Sequence, residues 1–128
     1  MNQKERKAVI KRLDDMCRTI VKITALKTVG GCERCLARKD SISELDWAHN
    51  QPRQRLSTRW DIRNAAGLCS GCHRYLDNNH DEKREFFEKR LGKGVYELVR
   101  ILSQTTQKVD YDLVYLDLKQ KTELLNGP

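Results

Sequence analysis

The chain has 128 residues and a formal net charge of +7, with 25 lysines and arginines against 18 aspartates and glutamates. This length allows about one domain with a modest hydrophobic core, and no apolar run is long enough to span a membrane. The five cysteines do not indicate a secreted disulfide protein, because the chain opens with charged residues and no apolar signal segment. We therefore expect an intracellular, cytoplasmic protein.

The excess positive charge lies in the first half of the chain. Residues 1–64 carry 15 lysines and arginines and 8 aspartates and glutamates, whereas residues 65–128 carry ten of each. Such an asymmetry is typical of a surface that binds a polyanion, and nucleic acid is the usual one. A solvated basic helix face would give the same counts, so charge alone does not decide between the two.

The first predicted element is one amphipathic, basic helix over residues 3–26. Apolar side chains recur along it at steps of three to four residues, namely Val9, Leu13, Met16, Ile20 and Ile23. Cys17 lies near this apolar face, so we predict that it is a buried core residue. Gly30 and Gly31 end the helix.

Two cysteine pairs with the spacing C-x2-C follow the helix. They are Cys32 with Cys35, and Cys69 with Cys72. Four thiolates in two short knuckles are the ligand set of a closed tetrahedral zinc site, which holds two segments together and provides no chemistry of its own. We predict one structural Zn²⁺, whose binding would contribute to folding in a domain of this size.

Between the cysteine pairs we predict a short hairpin and a basic loop. Residues 42–50 mix β-compatible side chains, and Pro52 argues against a long central strand. The loop that follows contains four arginines, and guanidinium groups bind phosphate oxygens through paired contacts, although a solvated basic loop is the alternative. The predicted DNA-binding residues are Arg53, Arg55, Arg59 and Arg63. Trp60 is expected to be a buried anchor.

The second half of the chain is predicted to be helical. One helix begins near Ser70, and a second is capped by Asp81 and runs to Leu91. Gly92 and Gly94 are expected to break the chain before a third helix over residues 95–105. Asp110 is expected to cap a last helix, whose leucines pack back on the domain; the apolar residues of these two helices are Leu98, Val99, Leu102, Leu113, Val114, Leu116 and Leu118.

Three polar residues between and after the knuckles are candidates for catalysis. His49 is the candidate general base, because imidazole titrates near neutral pH. Asn64 can hold the loop that presents it, and His73, at the start of a helix, can bind a divalent cation. Asp77 lies one turn further on the same helix face. Asp46 is another candidate ligand, although in a regular strand it would face away from His49 unless a bulge intervened.

Taken together, this order of residues resembles the HNH endonucleases, especially phage-encoded HNH proteins related to the lambda NinG recombination nuclease. The resemblance covers about residues 30–92 and rests on both cysteine pairs together with Ala48-His49, Pro52-Arg53, Thr58-Arg59-Trp60-Asp61, Asn64 and His73. It implies a zinc-stapled ββα-metal core. With the helices predicted above at both ends, the expected fold is α+β, with a basic helix at 1–29, a nuclease core at 30–92 and a helical extension at 93–128.

The resemblance also implies an activity. The protein would be a Mg²⁺- or Mn²⁺-dependent endonuclease that hydrolyses DNA phosphodiester bonds in recombination or DNA processing, in the cytoplasm of a bacterial host cell. His49, Asn64 and His73 would be its catalytic residues, and the divalent metal would be separate from the zinc. Branched, single-stranded and duplex DNA all stay open as substrates, and so does a homodimer.

One position departs from the pattern of the family. Many HNH enzymes have an acidic or histidine metal ligand directly before the base histidine, whereas this chain has Ala48. The metal would then depend on His73, assisted by Asp77, Asp46 or His49. Two alternatives are therefore open: a catalytically inactive HNH-derived zinc module that binds DNA or a recombination partner, and a zinc-ribbon adaptor for protein contacts.

Overall fold

A computed structural model describes residues 1–127 of the chain. The fold is α+β, as predicted, and is mostly helical with one two-stranded sheet. In chain order the elements are α1 (Gln3–Val29), β1 (Asp46–His49), α2 (Leu56–Arg59), β2 (Ala65–Leu68), α3 (Ser70–Asp77), α4 (His80–Leu91), α5 (Lys93–Ser103) and α6 (Tyr111–Asn126). Within the described part of the chain, no helix combines the length and apolar character needed to cross a membrane.

Helix α1 is the longest element, and both of its ends are capped. The side chain of Asn2 accepts a hydrogen bond from the main-chain N–H of Glu5 at 2.8 Å, which satisfies one of the free N–H groups of the first turn. At the other end Gly30 takes a left-handed conformation with φ of 74°, which an L side chain rarely adopts. The predicted helix is confirmed and continues three residues beyond the expected end.

The sheet is an antiparallel pair in which His49 lies opposite Ala65 and Asp46 lies opposite Leu68. Strand β2 is buried along its whole length. Its small residues let α1 approach closely, because a Cβ atom placed on Gly67 would lie only 2.7 Å from the Cβ of Ala25. The predicted hairpin is confirmed, and α1 packs across it.

Two hydrophobic clusters hold the fold together, and α1 contributes to both. One lies around the sheet, the second knuckle and α4, and its largest buried members are Leu45, Leu68, Leu76 and Phe87. The other joins α1 to α6 and to the loop between the strands, and it contains Leu13, Cys17, Ile20, Val21, Trp47, Trp60, Ala65 and Leu118. The buried positions predicted for Cys17 and Trp60 are confirmed.

Two predicted boundaries in the C-terminal half are wrong. Helix α4 begins at His80 with Asn79 at the N-cap, so Asp81 lies inside the first turn. Its negative charge interacts favourably with the positive end of the helix dipole there. Gly92 alone separates α4 from α5, with a φ of 84°, and Gly94 lies in the first turn of α5. One residue with positive φ is enough to redirect the chain, so the second glycine does not break it.

Helix α6 is capped as predicted, because a carboxylate oxygen of Asp110 accepts hydrogen bonds from two main-chain N–H groups of the first turn, at 3.0 and 3.2 Å. Leu118 is fully buried against α1. The prediction that Leu113 and Leu116 also pack on the domain is wrong, since they are 64% and 57% exposed. In α5, Leu98 is likewise exposed.

Candidate functional site

The four predicted zinc ligands form one cluster. The first knuckle closes on itself through the main chain, where Cys32 N–H donates to the carbonyl of Ala37 at 3.1 Å. The second knuckle begins α3, and the Cys69 sulfur accepts a hydrogen bond from the N–H of Cys72 at 3.4 Å. The sulfur atoms of both pairs lie within 4.8 Å of one another.

This donor set fits a structural metal ion such as zinc. The Sγ atoms of Cys35 and Cys69 are 3.9 Å apart, and a tetrahedral zinc with bonds of about 2.3 Å requires sulfurs about 3.8 Å apart. Although burial raises the pKa of Cys32, main-chain N–H groups outweigh it and lower the pKa to about 7. Burial and the neighbouring sulfurs raise the pKa of Cys72 to about 12. A bound zinc ion would favour the thiolate form of these cysteines, because its two positive charges offset half of the four negative charges and its bonds to sulfur replace the protons.

The remaining cysteine has the properties of a core residue. Cys17 is fully buried in α1, away from the knuckles, and among apolar neighbours. Burial, with Asp61 and Asp14 nearby, raises its pKa to about 12. It is therefore an uncharged thiol at neutral pH and offers no thiolate to a metal.

His49 is the last residue of β1 and is buried, with 7% of its surface exposed. Its Nε2 atom lies 3.0 Å from the main-chain carbonyl of Arg59. A carbonyl only accepts, so Nε2 carries the proton and Nδ1 carries the lone pair. Burial lowers the pKa to about 4, and the positive charges of Arg53 and Arg59 contribute to the same shift. His49 is therefore a neutral imidazole at pH 7.

Asn64 organises the loop that returns the chain from β1 to β2. Its side chain is fully buried and makes three hydrogen bonds. Its Oδ1 accepts from the N–H of Gln51 at 2.8 Å, and its Nδ2 donates to the carbonyls of Gln51 and Thr58 at 3.1 and 3.2 Å. This loop contains Arg59, whose carbonyl binds His49, so Asn64 acts on His49 through the loop.

His73 lies between two carboxylates. Its Nδ1 is 2.9 Å from Oδ2 of Asp46, and its Nε2 is 3.3 Å from Oδ2 of Asp77. The i, i+4 pair of His73 and Asp77 predicted from the sequence is present on one face of α3. Asp46 reaches the other nitrogen of the ring from β1. The other oxygen of Asp77 accepts a hydrogen bond from Nζ of Lys83 at 3.0 Å.

Both histidines line one open depression of about 270 Å³. The depression is lined by Trp47, His49, Asn50, Pro52, Arg53, His73, Asp77 and Lys83. Lys83 comes from α4, and no sequence pattern connects it with the histidines. Among the described residues, only the four cysteines form a group of three or more acidic, cysteine or histidine side chains with donor atoms within 4.8 Å of each other. Asp46, His73 and Asp77 therefore do not form such a group.

The four arginines have different environments. Arg59 is mostly buried and forms a bidentate ion pair with Asp14 of α1, at 2.9 and 2.7 Å. Arg53 is half exposed and contacts the same carboxylate at 3.2 Å. Arg63 pairs with Asp61 at 2.7 Å. Arg55 is exposed at the start of α2, so its guanidinium is accessible to a ligand.

Asp14 is the residue that the sequence-based prediction did not identify. It is 6% exposed, and besides the two arginines it accepts a hydrogen bond from the indole N–H of Trp60 at 2.8 Å. Burial alone would raise its pKa, but the hydrogen bonds from Arg59 and Trp60 outweigh burial and lower it. Its only trace in the sequence is an acidic residue between Leu13 and Cys17 on the apolar side of α1, and that pattern does not show which residues pair with it.

Comparisons with protein families, with curated proteins and with solved structures find no match to this chain. The functional argument therefore depends on the geometry described above. That geometry comprises a four-cysteine cluster, a neutral buried imidazole, and a second imidazole between carboxylates in the same depression.

Proposed function

We propose that the protein is a zinc-stapled HNH-type endonuclease that uses a divalent metal to hydrolyse phosphodiester bonds in DNA. The observation that carries this proposal is the pair of histidines in one depression, because their surroundings differ. His49 is neutral and anchored through one nitrogen, as a general base requires. Asp46 lies beside Nδ1 of His73 and can orient the ring, and Asp77 lies beside Nε2 and can share a cation with it.

In this proposal His49 accepts the proton of the attacking water at Nδ1. The hydrogen bond from Nε2 to the carbonyl of Arg59 holds the ring in the tautomer that leaves Nδ1 free. The low pKa keeps the ring unprotonated at neutral pH, so no step is needed to prepare the base. A negatively charged phosphate beside the ring would raise this pKa toward neutrality and make His49 a stronger base when DNA is bound.

The metal ligands in this proposal are His73 and Asp77, with Asp46 as the residue that orients the ring. Neutral His73 can donate from Nδ1 to Asp46, which leaves the Nε2 lone pair and Asp77 on one side of α3 for a cation. A nitrogen and a carboxylate oxygen suit Mg²⁺ or Mn²⁺ that keeps several waters. Bound there, the cation would neutralise charge on the scissile phosphate and the leaving oxygen.

Basic side chains on the rim favour DNA as the substrate. Arg53 and Lys83 line the depression, and Arg55 lies exposed in the adjoining loop. Lys83 donates to Asp77, and a cation on Asp77 would compete with that contact and free the ammonium group for a phosphate. The excess positive charge of residues 1–64 supports the same substrate class.

A second candidate function is DNA binding without cleavage. The observation in its favour is Ala48, which is 3% exposed and lies opposite Ala66 in the sheet. Many HNH enzymes have a metal ligand at that position, and a methyl group coordinates nothing. The site would then have to hold its cation with fewer protein ligands.

A plasmid-nicking assay with Mg²⁺ and Mn²⁺, together with duplex and branched oligonucleotides, separates the two functions. Under nuclease function, His49→Ala lowers cleavage by about a hundredfold or more, the scale of a positioned base, and no metal concentration restores it. His73→Ala requires more metal, and part of the rate returns at high Mn²⁺. His80→Ala is the matched control, because His80 is exposed at the start of α4. This variant should cut DNA at the wild-type rate.

Each outcome has one interpretation, provided that zinc content and fold are unchanged in the variants. If the wild type and His49→Ala both bind DNA and neither cuts any substrate with either metal, the nuclease proposal is wrong and the binding module takes its place. If His80→Ala loses as much activity as His49→Ala, the assignment of the base is wrong.

A further inference from the structure

The first zinc knuckle presents an exposed leucine in a strained conformation. Leu36 directly follows Cys35 and has a φ of 63°; among the described residues, no other non-glycine residue has a positive φ. Its side chain is 62% exposed. A leucine in the left-handed region is disfavoured relative to glycine or asparagine, and its exposure means that packing does not compensate for the strain.

The knuckle itself imposes this conformation. The N–H of Leu36 donates to the carbonyl of Cys32 at 2.9 Å, and the N–H of Cys32 donates to the carbonyl of Ala37 at 3.1 Å. Glycine would satisfy these bonds without strain. A strained backbone position occupied by an exposed apolar side chain, where glycine would remove the strain, is the kind of outlier from which a functional role is inferred.

The charges around Leu36 indicate which partner it contacts. Arg34 and Arg38 are exposed on either side of it, and Lys39 follows. The nearby Glu33 is mostly buried and occupied by Arg90 and by the N–H of Gly67, at 2.8 and 2.6 Å. Asp40 is the remaining acidic group of this segment and lies 3.5 Å from Arg38. The tip of the knuckle is therefore apolar with a basic margin.

The knuckle is also connected to the candidate site. The guanidinium of Arg34 lies 4.5 Å from the ring centre of Tyr75 and donates to the sulfur of Cys72 at 3.4 Å. Both partners belong to α3, the helix that carries His73 between them. A polyanion that reaches His73 along α3 can therefore extend onto the tip of the knuckle.

We infer that the tip of the first knuckle is a DNA wedge, in which Leu36 inserts between neighbouring base pairs while Arg38 and Lys39 bind the flanking phosphates. This inference rests on the proposed DNA-binding function and adds a second contact to it. Proteins that kink duplex DNA use leucine and similar apolar side chains in this way, with basic residues around them. A zinc ion held by the four cysteines would supply the rigidity that separating two stacked base pairs requires.

The test compares Leu36→Asn with Leu36→Met in the zinc-loaded full-length protein. Asparagine tolerates the left-handed conformation but is polar, whereas methionine keeps an apolar wedge. The probe is a short duplex carrying a fluorophore at each end, without added Mg²⁺ or Mn²⁺, so that affinity and bending are measured without cleavage. Leu116→Asn, at a similarly exposed leucine of α6, is the matched control.

We expect Leu36→Asn to abolish the bend and to lower affinity by about tenfold, because the variant loses both the buried leucine and the additional contacts that a bent duplex makes. Its zinc content should be unchanged and its unfolding temperature equal or higher, so misfolding would not explain the loss. Leu36→Gly should behave in the same way, because glycine adopts this φ freely. Leu36→Met and Leu116→Asn should bind and bend like the wild type.

The inference is overturned if Leu36→Asn bends and binds DNA like the wild type, or if Leu116→Asn loses as much affinity. Its failure is separable from that of the nuclease proposal through the plasmid-nicking assay. If the wild type nicks DNA and Leu36→Asn binds and bends DNA normally, only the wedge inference is wrong. If the wild type binds and bends DNA in a way that depends on Leu36 but nicks no substrate, only the nuclease proposal is wrong.

Discussion

Asp14 and Arg59, which are 45 residues apart in the chain, form a bidentate ion pair with distances of 2.9 and 2.7 Å. The main-chain carbonyl of the same Arg59 accepts the hydrogen bond from Nε2 of His49. Asp14 also accepts from the indole of Trp60, the next residue in the loop. The N-terminal helix thus positions the candidate base through this loop, although it contributes nothing to the lining of the depression.

Asp14→Asn should destabilise the protein by about 3 kcal/mol, since removing one partner of a buried ion pair leaves the other uncompensated. Urea denaturation would measure this loss. Asp15→Asn is the matched control on the same helix, because Asp15 is about half exposed and its pairs with Arg18 and Lys11 lie on the surface. Such exposed pairs contribute little to stability, because solvent screens them. Equal losses in the two variants would contradict a structural role for Asp14.

Stability should fall between pH 6.5 and pH 4 because of His49. Burial, assisted by Arg53 and Arg59, lowers the pKa of His49 from 6.5 to about 4, so within this window the unfolded chain binds a proton that the folded chain does not. The free energy of unfolding therefore decreases as pH falls, by about 3 kcal/mol in total.

The matched variant for this prediction is His49→Gln, which keeps a side-chain donor for the carbonyl of Arg59 and does not titrate. Urea denaturation at a series of pH values should show a flatter profile between pH 6.5 and pH 4 for this variant than for the wild type. Asp14 contributes in a different window. Its pKa is lowered, so its stabilisation is present above its ordinary pKa and is lost as pH falls below it. Parallel profiles for the wild type and His49→Gln would show that His49 is not desolvated.

The protein should contain about one tightly held zinc, because four thiolates fill a tetrahedral site. Cys35→Ser should lose the metal and unfold or aggregate, and a strong chelator should do the same to the wild type. Elemental analysis and thermal unfolding would measure both effects. Cys17→Ala is the control, since it should lower stability through a small core cavity and leave the zinc content unchanged. A wild type that is natively folded without zinc would contradict the prediction.

Asn64→Ala should destabilise the loop between the strands by about 2 kcal/mol, because the variant leaves one buried N–H and two carbonyls without their partner. If the nuclease proposal holds, cleavage should fall to a level between those of the wild type and His49→Ala, since the base is misplaced and not removed. Asn78→Ala, at an exposed residue after α3, should change neither quantity appreciably. Full activity in Asn64→Ala would show that this loop does not orient His49.

Arg55 and Arg59 should respond differently to replacement by alanine. Arg55→Ala should leave stability unchanged and weaken DNA binding equally for unrelated sequences. The slope of log affinity against log salt concentration should decrease by about one, as expected for the loss of one phosphate contact. Arg59→Ala should mainly lower stability, since it leaves Asp14 buried without its closest partner. Fluorescence anisotropy at several salt concentrations, with urea denaturation alongside, separates the two effects. Loss of affinity for only one sequence would indicate base recognition by Arg55 instead of phosphate contact.

Local chemistry made several features predictable from the sequence. Each C-x2-C pair brings its two sulfurs together because it needs only a tight turn. The four-cysteine cluster then forms when the fold places the two pairs side by side. The ends of α1 and α6 were predictable for a similar reason, since Gly30 and Asp110 act on main-chain groups within a few residues. The pairing of His73 with Asp77 follows from helical spacing alone.

Other features depend on contacts between residues far apart in the chain, and no local pattern contains them. Asp46 reaches His73 because the sheet packs against α3, and Lys83 reaches Asp77 because α4 turns back beside that helix. Asp14 was hidden in the apolar face of α1, since burying a carboxylate is unfavourable until Arg59 and Trp60 are folded against it. The free energy of such a buried group depends on partners that only the folded chain assembles, so its position follows from the tertiary structure and not from the neighbouring sequence.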